Sequence, residues 1–112
     1  MAVTNRRIIA AKYTENVQTT QYTTPAATTT VVDKFTITNV TGAAATISVH
    51  LVTTGGTADA SNVILDERGI APGETFDATM LAGHVIEPGG FISTLAGTAS
   101  ALVISASGRE IT

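Results

Sequence analysis

A chain of 112 residues is the size of one domain, long enough to close a hydrophobic core without staples, and its formal net charge is −3. It has no cysteine, which excludes disulfides, thiolate zinc sites and cysteine nucleophiles, and no basic run longer than Arg6-Arg7, which argues against nucleic acid as a partner. Only 13% of the residues are charged, while threonine, alanine and glycine are abundant, so the balance favours strands with neutral, half-wet faces.

Residues 1–24 are the least regular part. Arg6 to Lys12 and Thr19 to Thr24 each fit a strand, or the segment is an arm that reaches a neighbour, and Pro25 closes it because proline cannot donate to a ladder. The apolar run Ile8 to Ala11 is too short for a signal-peptide core or a bilayer span, so synthesis in the cytoplasm and no membrane partner are expected. The remainder, residues 25–112, reads as the body of a single domain.

Period-two alternation is clearest from Val31 to Val40. Val31, Asp33, Phe35, Ile37 and Asn39 share one face, and Val32, Lys34, Thr36, Thr38 and Val40 take the other. After Thr41-Gly42-Ala43 the rhythm resumes, with Ala45, Ile47, Val49 and Leu51 inward and Thr46, Ser48 and His50 outward, which predicts an antiparallel hairpin. Gly55 to Asn62 is a surface loop and Val63 to Leu65 a short buried strand. Pro72-Gly73 supplies the preset second position and the positive φ of a type II turn into Thr75 to Ala78, and Pro88-Gly89 leads into Phe91 to Leu95. The last strand is Ala101 to Ser107, ended by Gly108-Arg109-Glu110. Seven or eight strands about ten residues apart predict an all-β antiparallel sandwich, immunoglobulin-like or jelly-roll-like.

No constellation of reactive groups stands out. His50 and His84 fall on different elements, and Glu74, Asp77 and Asp59 lack ligand spacing to either. In Asp66-Glu67-Arg68 neighbouring side chains point to opposite faces beside an arginine, the pattern of solvated charges rather than of a glycosidase pair. Gly55-Gly56 and Gly89-Gly90 lack the lysine and helix start of a phosphate loop, and Ser93, Ser100 and Ser105 have no nucleophile elbow. With no tryptophan and only Tyr13, Tyr22, Phe35, Phe76 and Phe91 as aromatics, stacking platforms for sugars are few. Asn39-Val40-Thr41 matches a glycosylation sequon by chance. The expectation is a non-enzyme without cofactor or metal.

Five stretches carry a resemblance: Tyr22-Thr23-Thr24-Pro25-Ala26, Val32 to Asn39, Ile47 to Val52, Ile70 to Thr75, and Ser107-Gly108-Arg109-Glu110. Through them the region from Lys12 to Thr112 resembles small accessory structural proteins of tailed bacteriophages and prophages. The resemblance implies a virion component made in the host cytoplasm, such as a capsid decoration or cement protein bound between major capsid protein subunits. A tail, neck or fibre-attachment subunit and a host-glycan-binding module working through the loops Gly55 to Asn62 and Gly83 to Gly90 are the alternatives. A homo-oligomer is expected. The candidate partner-binding residues are Arg6, Arg7, Ile8, Tyr13 and Tyr22, with the two arginines meeting acidic groups.

Overall fold

Alternating burial along the strands is what stacks them into two layers, because each strand has one apolar face to hide. The computed structural model describes residues 2–112, so Met1 of the N-terminal segment lies outside the described residues. Among them are nine strands: β1 (Val3–Tyr13), β2 (Thr19–Thr23), β3 (Thr29–Asn39), β4 (Ala45–Val52), β5 (Val63–Ile70), β6 (Thr75–Asp77), β7 (Val85–Ile86), β8 (Phe91–Ala96) and β9 (Leu102–Ile111). A single 3₁₀ turn spans Thr79–Leu81. That turn and β7 are too short to leave a periodic signal.

Four antiparallel pairs nest like the rungs of one long hairpin: β4 with β5, β3 with β6, β2 with β8, and β1 with β9. The hairpin is rolled up so that β9 also pairs β3 and β8 also pairs β4. The resulting sheets have the orders β1-β9-β3-β6, with β7 on β3, and β2-β8-β4-β5. Of the two expected sandwich types this is the jelly roll. Between the sheets lie Val32, Phe35, Ile37, Ile47, Val49, Ile70, Leu81, Ile92, Leu102 and Ile104, none more than 1% exposed.

The expected hairpin of residues 31–40 with 45–52 does not form, since β3 and β4 belong to different sheets. Alternation alone permits either arrangement; Asn39 decides it. The side chain is fully buried, its Nδ2 donates to the carbonyls of Ala43 (2.8 Å) and Ile70 (2.9 Å), and its Oδ1 accepts from Thr41 N (2.9 Å) and Thr41 Oγ1 (2.7 Å). Its backbone pairs with Gly73 and Glu74. Every polar group of Asn39 is thus used to turn the chain across the core and tie that corner to the β5–β6 turn. The sequon asparagine is not a surface amide.

Two further expectations change. A register shift between Val32 and Lys34 inserts an extra residue into β3, so Val32 rather than Val31 points inward while Phe35, Ile37 and Asn39 keep the inward phase. Gly108-Arg109-Glu110 does not end β9 but continues it, with Leu102, Ile104, Ala106, Gly108 and Glu110 all on the buried face. Asp66 and Glu67 likewise form a bulge inside β5, where Glu67 has φ +44 and its N–H donates to Ser48 Oγ.

Candidate interaction surface

The N-terminal segment forms two edge strands lying over one another, β1 in the first sheet and β2 in the second. A register shift between Arg6 and Ile9 turns the adjacent Ile8 and Ile9 both inward, and these are the only buried side chains of β1. Ile8 therefore belongs to the core, packed over Gly108. The corner between the strands is pinned by Thr14 N to Leu102 O (2.9 Å) and Ala96 N to Glu15 O (3.1 Å). A hydrogen bond from Gln21, then the neighbouring Lys12, hold the Glu15 carboxyl below the usual range.

Tyr22 also faces inward. Its hydroxyl donates to Glu110 Oε2 (2.5 Å) and accepts from Thr30 Oγ1 (2.8 Å), while Arg6 Nε lies 3.4 Å from Glu110 Oε1. Arg6 meets an acidic group, but one of its own chain. Glu110 is the one buried carboxylate among the described residues, and the phenol and guanidinium offset its desolvation. Sequence reasoning misses it because Gly108-Arg109 looks like an exit; the even-numbered phase from Leu102 onward carries the signal.

Burial, and the carboxylate it donates to, push the Tyr22 phenol above its usual range. A phenol whose folded-state pKa is raised contributes stability that is complete below the unfolded value, about 10, and is lost as pH rises through the folded one. Urea unfolding followed from pH 8 to 11 should show stability falling above about pH 10. Tyr22→Phe should remove that fall and cost about 2 kcal/mol at neutral pH. An unchanged midpoint at neutral pH would contradict the assigned hydrogen bonds.

Arg7 and Tyr13 remain outside. Paired residues share a face, so the outer surface of the first sheet can be read from its register. One row runs Tyr13, Val103, Thr38, Thr75, and another runs Asn5, Arg109, Val31, Val85. Between them lie Ser105 with Thr36 and Ser107 with Lys34. Apart from Arg7 at its β1 margin, its charges are matched locally, Arg109 gripping Asp33 through Nε (3.0 Å) and Nη2 (2.9 Å) and Lys34 Nζ meeting Asp77 at 3.0 Å. The face is broad, rich in small hydroxyl and branched apolar side chains, and its paired charges can be covered without stranding an ion.

The second sheet is partly covered on its outer side. His50 Nδ1 donates to Asp59 O (3.0 Å) and Asn62 Oδ1 (2.9 Å), drawing the loop Gly55 to Asn62 down onto β4. His84 is elsewhere, its carbonyl accepting from Val32 N beside the first sheet. At one end Thr54, just before the Gly55 to Asn62 loop, meets the Gly83 to Gly90 loop, its Oγ1 donating to Pro88 O at 2.5 Å. No three His, Asp or Glu side chains converge in a metal-binding arrangement among the described residues. No helix there is long and apolar enough to cross a membrane.

Neither protein-family models nor curated protein sequences give a match to the chain. Among solved structures, it is similar to a chain in the structure of the Gx strain of infectious bursal disease virus, with 11% identity over 97% of this chain and a TM-score of 0.55. A chain of the Gt strain has 11% identity and a TM-score of 0.47. The match covers 32% of the Gx chain and 30% of the Gt chain, so this protein spans about a third of their length. At this identity the Gx likeness establishes a common fold.

Proposed function

We propose that the chain is a non-enzymatic structural component of a virion, a capsid decoration or cement protein that binds between coat subunits and stabilises the shell. The observation that carries this reading is the outer face of the first sheet, where hydroxyl and branched side chains lie among charges already paired. Such a face suits coverage by another protein over a standard interface area. The jelly roll is a recurrent capsid architecture, and the Gx chain of similar fold belongs to a virus structure. Jelly rolls also occur in lectins, which keeps host-glycan binding as a second reading.

Quantitative mass spectrometry of purified particles tests the proposal. Hundreds of copies per particle are expected for a shell component, whereas about six, twelve or eighteen would move it to a tail or neck ring of closed symmetry. Absence from particles, together with binding of the isolated protein on a glycan array, would replace it with the lectin reading.

A further inference from the structure

The two lateral sides of the sandwich carry opposite charge. On one side, β1 is an open edge with three cations, Arg6, Arg7 and Lys12, and no carboxylate in its eleven residues. On the other, β5 and β6 are the opposite edges of the two sheets, and the segment from Val63 to Asp77 carries Asp66, Glu67, Glu74 and Asp77 against the single cation Arg68. Arg68, exposed and without an ion pair among the described residues, offsets one of these four carboxylates and leaves the segment negative, while its guanidinium lies 4.1 Å from the centre of the Phe76 ring.

Several of these charges are already matched within the chain: Arg6 by Glu110, Lys12 by Glu15 and Asp77 by Lys34, while Glu74 accepts from Ala71 N. Those left without an ion pair among the described residues include Arg7 on the β1 side and the bulged pair Asp66 and Glu67 on the β5 side. All three are exposed.

We infer that copies of this chain associate side by side and head to tail, the cationic β1 edge of one against the acidic β5 edge of the next. Two β1 edges would bring cation to cation and two β5 edges carboxylate to carboxylate, so self-complementary two-fold edge contacts are disfavoured and the heterologous contact is the attractive one. Register shifts interrupt both edges, two in β1 and two in β5, which prevents an indiscriminate continuous ladder and leaves side-chain charge to select the neighbour. A heterologous contact leaves a free edge of each kind on every dimer. Association therefore continues into rings or rows, as an array spread over a larger surface requires. Exposed ion pairs are individually weak, so the contact is reversible in solution and gains strength when copies are held together on a common support. It stands independently of the virion reading, and its failure would leave that reading untouched.

Sedimentation velocity on the purified full chain tests it. Self-association is expected at ~20 mM salt and should weaken at least about tenfold by ~500 mM, where charges are screened beyond a few ångströms. Arg7→Glu alone and Asp66→Lys with Glu67→Lys in one chain should each abolish association; both change exposed side chains, so melting temperatures should stay near that of the parent. Mixing the two variants restores complementary contacts in alternation and should recover association to within a fewfold of the parent. The inference is overturned if the parent stays monomeric up to ~1 mM at low salt, if either variant associates as the parent does, or if the mixture behaves as the sum of its monomers.

Discussion

Replacement of Asn39 by alanine is expected to lower the unfolding free energy by about 3 kcal/mol, because it strips the buried carbonyl of Ile70 of its side-chain donor, removes the links to Ala43 O and Thr41 N, and leaves a void at a fully buried position. That corresponds to a fall in Tm of roughly 10–15 °C for a domain of this size. Asn39→Asp should be no better, since a carboxylate turns two donated hydrogen bonds into repulsion between oxygens and buries a charge. Thermal and urea denaturation of both variants measure the effect. A loss under about 1 kcal/mol would mean that the β3–β4 corner is held by something other than this side chain.

Gly108→Ala should rank beside it, for a different physical reason. A Cβ on Gly108 would run into the backbone carbonyl of Val31 and lie 2.5 Å from Ile8 Cδ1. The flexible end of Ile8 can move, but the carbonyl belongs to the central β3–β9 ladder. We expect a loss of about 3 kcal/mol from overpacking at this rigid contact. Displacement of Ile8 should also loosen β1, which hydrogen exchange at Arg6 to Ala10 would register as lost protection. A variant with parental Tm and an equally protected β1 would show that the β1–β9–β3 packing is looser than described.

Local features were legible wherever a residue type has only one use. Pro72-Gly73 reads as a turn because each residue presets its own dihedral, and Gly73 has φ +73 with Glu74 N–H donating to Ala71 O at 3.0 Å. The same holds for Pro88-Gly89, where Gly89 has φ +81. Sheet membership was not legible. A period of two looks the same whether neighbouring strands lie side by side or face one another across a core, so Val31 to Val40 and Ala45 to Val52 could not reveal their separation. Bulges hide for a related reason: one inserted residue moved Val31 out and Val32 in without any change of composition.

The candidate surface shows the same division. Arg7 and Tyr13 stand where a polar or aromatic residue on an irregular segment suggests, on the exposed side of β1. Ile8 and Tyr22 face inward, the first turned by a bulge and the second drawn by Glu110, a partner 88 residues away along the chain. The neutral outer face is foreshadowed by the scarcity of charge, but its local neutrality depends on the pairings of Asp33 with Arg109 and Lys34 with Asp77, which only the fold brings together.

The direct test of the proposed role compares particles assembled with and without this protein under heating and osmotic shock. If the chain clasps neighbouring coat subunits, stripped particles should rupture at lower temperature and milder shock, and adding the purified chain should restore their resistance. Equal endurance of bare and complete particles would contradict it.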